Sequence, residues 1–407
     1  MTLNAKKFSA TLKRSLMAYA FNIFGIVAGT IIAYNTGLFE KAPWAIAIYP
    51  PILSARGVIG GLFCGRLSTA LHLGTIQPRL LGNTKSFYLL FQAIVVMTLE
   101  TSFVTSFVAA LFRSVYAGIT MHELLNITGM VVATMALALI AISPLTLTVS
   151  FLSFKHGLDP DIILYPIEFT VADLLITTIY VSMLNLFFAH SYFSRYFLVL
   201  ISLVSVLTAA YFFVRNRRET EFVKTLKESL LTIVFVSFII NVAGATLGKV
   251  DETLRERQEL YSSYPVYVVY PALIDTIGDV GAVVGSTATT KLALGTLKSS
   301  FSSIKNHSTE ISGAWAASLI MYLVYSILAL IIRGFLNPLN LLKFTILLFT
   351  ANIIAASFII ILSYAVAILT YQKGLDPDNF EIPMESSFAD SVTTISLLAA
   401  LILLVFI

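Results

Sequence analysis

Charge is scarce in this sequence. Only 12% of its 407 residues are Asp, Glu, Lys or Arg, about half of the roughly 25% found in soluble domains. A chain so poor in charge cannot clothe a water-facing surface, which excludes a soluble enzyme. Cysteine is nearly absent: Cys64 stands alone, so no internal disulfide forms and a secreted disulfide scaffold is excluded. Histidine is sparse as well, and His72, His122, His156, His190 and His307 show no zinc-ligand spacing. An inventory of oxygen donors without such nitrogen or sulfur pairs suits magnesium, calcium or manganese better than zinc or copper. The 26 Lys and Arg are scattered through short loops, so the isoelectric point near 8.9 does not describe a nucleic-acid-binding face.

Apolar residues fill the space that charge leaves. They make up 57% of the chain, the mean hydropathy is +0.88, and apolar runs long enough to cross about 30 Å of hydrocarbon recur from end to end. The chain reads as an all-α polytopic membrane protein with helices at 15–36, 43–75, 86–116, 125–152, 164–189, 194–213, 229–248, 264–296, 310–333, 341–370 and 383–407. The first apolar run is of span length with no clear cleavage site after it, so it reads as a retained helix rather than a signal peptide. Lys6, Lys7, Lys13, Arg14, Lys85, Arg215, Arg217, Arg218, Lys224 and Lys227 fall on one side when the loops alternate. Roughly two basic residues lie there for each one opposite, which predicts a cytoplasmic N-terminus and an extracytoplasmic C-terminus in a multi-pass protein of the cell membrane.

The chain repeats itself. Residues 49–75, YPPILSARGVIGGLFCGRLSTALHLGT, align without a gap on residues 270–296, YPALIDTIGDVGAVVGSTATTKLALGT, at an offset of 221. Residues 156–178 align on 373–395 at an offset of 217, sharing Gly-Leu-Asp-Pro-Asp, a Pro-x-Glu and an Ala-Asp. Residues 1–190 therefore form one five-helix repeat and 229–407 a second, joined by a linker helix and a basic cytoplasmic loop at 191–228. Five is odd, so the linker helix restores the direction of the chain. The repeats are expected to be parallel, related by a pseudo-twofold axis along the membrane normal.

Within this frame a few polar residues stand out. Asp173 and Asp390 each follow a proline, Pro166 and Pro383, by seven residues and so lie about 10 Å into the fifth helix of their repeat. An ionisable side chain at that depth is a functional-site hypothesis by default, and a pseudo-twofold axis would set the two carboxylates face to face as a cation site. The plainer reading is a helix-start acid in the headgroup zone. Glu168 and Glu385 repeat one turn nearer the cytoplasm, as an inner vestibule or as acids favoured at helix N-termini. The second helices carry glycines, among them Gly57, Gly60, Gly278 and Gly281, which permit close packing or a break that exposes carbonyls. Asp279 and Asp275 flank the second cluster as candidate metal ligands, where the first repeat has Val58 and Ser54. Glu100 falls mid-span, as a coupling site or, more in keeping with intramembrane charges, paired with Arg56 or Arg66.

These residues resemble a known family. Pro271, Gly278-Asp279-Val280-Gly281 and Leu292-Ala293-Leu294-Gly295 are similar to the second-helix signature of the MgtE magnesium channels, with Asp279 in the place of an asparagine. Arg66-Leu67-Ser68-Thr69-Ala70 resembles a segment of the animal relatives, solute carrier family forty-one, in which two such halves share one chain. The seven-residue step from proline to Asp173 and Asp390 matches that family's pore aspartate. The resemblance implies transport of a divalent cation, Mg²⁺ first, with no organic cofactor, by a monomer acting as a pseudo-dimer. Manganese or another divalent ion remains open as substrate. Na⁺-coupled Mg²⁺ exchange is the alternative mode. Cytosolic sensor domains of MgtE have no counterpart in these residues, so that gating is not implied. A remote alternative, an intramembrane aspartyl protease, rests on Pro271-Ala272-Leu273 and Gly278-Asp279, which stand in the wrong order for it.

Overall fold

A computed structural model of the chain describes residues 3–116, 118–156, 160–189, 192–256, 264–373 and 378–405; the side chains of 3–4, 116, 160–170, 192–195, 378–385 and 405 lie outside that description. Every element among the described residues is helical. α1 (Leu3–Tyr19) and α2 (Ile23–Tyr34) form the first span across a single 3₁₀ turn, and the short α3 (Thr36–Lys41) leads into α4 (Pro43–His72). α5 (Lys85–Tyr116), α6 (Met121–Lys155) and α7 (Pro160–Phe188) complete the first repeat, and α8 (Tyr192–Asn216) follows it. The second repeat consists of α9 (Thr220–Glu256), α10 (Val266–Ala293), α11 (Ser308–Arg333), α12 (Pro338–Gln372) and α13 (Asp378–Val405). Among the described residues, eleven helical spans are long and apolar enough to cross a membrane.

The helix ends follow from local chemistry. The repeated Leu-Gly-Thr is a helix stop: Gly74 and Gly295 adopt φ of 70° and 68°, a left-handed conformation that glycine enters without steric cost. Their amides donate to the carbonyls of Leu71 and Leu292, and those of Thr75 and Thr296 to Ala70 and Lys291, which is a Schellman cap at both places. At the start of α6, the Thr120 hydroxyl accepts from the Glu123 amide, and the Glu123 carboxylate accepts from the Thr120 amide. We expect Thr120→Ala to lower stability by about 1 kcal/mol, read as a lower melting temperature in detergent. α9 begins earlier than its apolar run suggests. The stretch from Thr220, expected in a loop, is helical, held by Glu219 on Lys85 at 2.8 Å and Glu228 on Arg66 at 3.2 Å.

Packing divides the chain into two compact units, residues 1–34 with 246–407 and residues 35–245. The division does not follow the repeats. The first span of the first repeat packs with the body of the second, and most of α9, the first helix of the second repeat, packs with the body of the first. Glycines make both placements possible. A β-carbon on Gly25 would lie 2.8 Å from the Ala272 backbone, and one on Gly29 2.2 Å from the Val268 carbonyl. In the other unit, one on Gly244 would lie 2.0 Å from the Ala47 carbonyl and 2.9 Å from the Pro51 ring. Ala272 and Pro51 are repeat equivalents, and so are Gly25 and Gly244, each third after an asparagine in Asn22-x-x-Gly25-x-x-x-Gly29 and Asn241-x-x-Gly244-x-x-x-Gly248. Small residues let helix backbones approach closely where no hydrophobic drive exists.

The remaining surface suits lipid. Only 11% of the α8 span is buried, with Val199, Leu203 and Leu207 exposed. Apolar area of this extent is stable only under hydrocarbon. α8 is tied to its unit by polar contacts, Ser202 donating to the Gly129 carbonyl at 3.1 Å and Asn216 to the Gln92 side chain.

Candidate cation site

The fifth helix of each repeat is anchored on the second helix in the same way. The Tyr49 hydroxyl hydrogen-bonds Thr177 at 3.0 Å between α4 and α7, and Tyr270 hydrogen-bonds Thr394 at 2.8 Å between α10 and α13. Both bonds occupy repeat-equivalent positions, and all four side chains are buried. Asp173 and Asp390 stand four residues before Thr177 and Thr394, hence on the same helix face one turn away. Each acid therefore lies on the side of its helix from which the threonine one turn later bonds the second helix. Asp390 is 7% exposed and Asp173 half-buried.

In the unit that holds Asp390, α10 carries two further acids, Asp275 and Asp279. A β-carbon on Gly278 would sit 3.8 Å from that of Ala389, so the residues just before Asp279 and Asp390 meet across the two helices. Asp279 accepts a 2.8 Å hydrogen bond from the Asn22 amide through Oδ2. Asn22 also donates to Thr276 at 3.1 Å, and Thr276 pairs with the Tyr325 hydroxyl at 2.8 Å. Asp275 stands one turn before Asp279 on the same helix face, and both are half-buried. The other unit carries Asp173 with Val58 and Ser54 at the places of Asp279 and Asp275. The two halves therefore share a scaffold and differ in charge.

The structure bears on several of these readings. Gly57, Gly60, Gly278 and Gly281 do not break their helices: α4 and α10 run unbroken through them. Glycine permits a break but does not impose one, and a β-carbon at Gly278 would make only ordinary contact, 3.8 Å from Ala389 of α13. Glu100 pairs with neither arginine expected for it. Arg66 reaches Glu228 at 3.2 Å because α9 extends alongside it, Arg56 is buried in α4, and Glu100 Oε2 is buried without a hydrogen bond from the described residues. Glu168 and Glu385 lie outside the described side chains. His307, just outside the helix expected at 310–333, is fully buried, hydrogen-bonded to Thr287 at 3.1 Å beside the Lys291–Glu310 ion pair at 2.7 Å. Asn22 carried no signal in composition or hydropathy. Its repetition as Asn241 ahead of two glycines was the only trace of it in the sequence.

Among the described residues no three His, Cys, Asp or Glu side chains gather tightly enough to cage an ion. Mg²⁺ gives up its waters reluctantly and is commonly held by one or two carboxylates through a retained hydration shell. Single acids facing hydroxyl and amide groups match that habit better than a cage would.

Comparison with known proteins points the same way. A sequence profile described as "MgtE: Divalent cation transporter" matches residues 49–183 and 270–400, the second to fifth helices of both repeats. Solute carrier family 41 member 3 of Mus musculus is 23% identical over 397 residues, covering 91% of this chain and 78% of that protein. Its counterpart in Rattus norvegicus is 24% identical over 405 residues, covering 93% and 83%. No solved structure matches the chain.

Proposed function

We propose, from the premise that the chain belongs to the MgtE family of divalent cation transporters, that it carries Mg²⁺ across the cell membrane. Asp173 and Asp390 serve as the acids that draw the hydrated ion into its path, and Asp279, with Asp275 behind it, adds charge on the side of the second repeat. The observation that supports this reading is the repetition of one acid on one helix face, each one turn before the threonine that takes part in the same tyrosine–threonine bond to the second helix. Carboxylate, hydroxyl and amide oxygens suit a hard divalent ion. The N-terminus lies in the cytoplasm, following the distribution of Lys and Arg, and the two repeats in one chain act as a monomeric pseudo-dimer.

The energetics favour a channel-like mode. A membrane potential of about 100 mV, negative inside, drives a doubly charged cation inward by about 4.6 kcal/mol, so uptake needs no coupling ion. The test uses purified protein in liposomes holding a Mg²⁺-sensitive dye, with MgCl₂ outside. Uptake should grow with an imposed inside-negative potential and be indifferent to a Na⁺ gradient. Uptake that requires opposing Na⁺ would establish exchange instead, and absence of any divalent flux would overturn the reading.

A further inference from the structure

We propose that Asn22, in the 3₁₀ turn of the first span of the first repeat, is a positioning residue for Asp279 in the second repeat, fixing that carboxylate by one oxygen and leaving the other for the ion. The inference rests on the transport reading above. Asn22 is 8% exposed, so its amide hydrogens need partners within the protein. They go to Asp279 Oδ2 at 2.8 Å and Thr276 Oγ1 at 3.1 Å. Thr276 is in turn held by Tyr325, whose hydroxyl reaches the Tyr19 carbonyl at 3.4 Å. Thr276 and Tyr325 are fully buried, so the donor is fixed from behind. No described residue donates to Oδ1 of Asp279.

The repeat supplies its own control. Asn241 rides on α9 as Asn22 rides on the first span, and Gly244 meets Pro51 as Gly25 meets Ala272. At the repeat-equivalent positions of Asp279 and Thr276, however, stand Val58 and Ala55. Asn241 donates instead to the carbonyls of Ser237 at 2.7 Å and Thr105 at 3.3 Å. The same helix packing therefore stands without an asparagine–acid bond, and holding the helix in place does not account for Asn22. What the bond adds is orientation of a carboxylate: a charge-assisted hydrogen bond fixes the rotamer, as partners behind metal ligands generally do.

The test is a double-mutant cycle in the liposome assay, reading both the half-saturating MgCl₂ concentration and the maximal flux for Asn22→Ala, Asp279→Asn, their combination and Asn241→Ala. Asn22→Ala should raise the half-saturating concentration about 10-fold with maximal flux little changed. In the Asp279→Asn background it should add nothing further, because both changes remove one function. Asn241→Ala should leave half-saturation where it was. Melting temperatures in detergent separate folding from function, and Asn22→Leu, which keeps the volume and lacks the donor, reads the same quantities if the alanine variant does not fold. Full additivity, a loss confined to maximal flux, or an equal effect of Asn241→Ala would overturn the role of Asn22 and leave the transport reading intact. A wild-type protein that carries no divalent ion would overturn both.

Discussion

Asp390→Asn is expected to cut Mg²⁺ flux into proteoliposomes on the order of 100-fold, and Asp173→Asn to do nearly as much. Asparagine keeps the shape and removes the charge. Depriving a buried ionic interaction of one partner costs about 3 kcal/mol or more, which is about two decades in occupancy. Asp390 should be the more sensitive of the two because it is the more buried and lies on the side that carries Asp279 and Asp275. Thermal melting of both variants should stay close to that of the parent, since the Tyr49–Thr177 and Tyr270–Thr394 bonds that anchor these helices are untouched. Flux that persists in either variant at parental level would remove that aspartate from the path.

The second large effect concerns stability. Gly244→Ala should destabilise the protein by about 3 kcal/mol, at the upper end of overpacking costs, and Gly29→Ala by a similar amount. In each case the new methyl falls on a backbone carbonyl, of Ala47 at 2.0 Å and of Val268 at 2.2 Å, and a carbonyl cannot rotate away as a side chain can. Alanine gains at most about 1 kcal/mol in helix propensity over glycine, so the clash wins. Gly61→Ala is the matching control: its β-carbon meets nothing within 4 Å, and that variant should be as stable as the parent or slightly more so. Melting in detergent measures all three. An unchanged midpoint for Gly244→Ala would mean that α9 does not sit against α4 as closely as described.

The spans were legible because hydropathy alone decides them, and eleven were expected where eleven candidate spans stand among the described residues. The Leu-Gly-Thr that helps carry the family resemblance proved to be the cap that ends α4 and α10. Its spacing marks where a helix stops rather than where an ion binds. Side-chain partners were not legible. Pairing Glu100 with an arginine assumed that charges in a membrane find the nearest opposite charge by position along the chain. Arg66 instead found Glu228 because α9 continues as a helix where the sequence suggested a loop. Pro271-Ala272-Leu273, the segment that prompted a protease reading, is the backbone against which Gly25 packs. Which helix packs on which lies beyond any periodicity, since every span is apolar and the packing choice turns on a few glycines.

The crossed placement of the first helices bears on how the chain is made. Gly25 and Gly29 find their seats on Ala272 and Val268, nearly 250 residues downstream, so the span that carries them has no docking surface until the second repeat has been synthesised. Contacts of such long sequence separation form slowly, and in the interval that helix stands among lipids with its small-residue face open. Each repeat, cut free of the other, would lack the helix that covers its second span. One uninterrupted polypeptide keeps both lodgers within reach of their hosts throughout assembly.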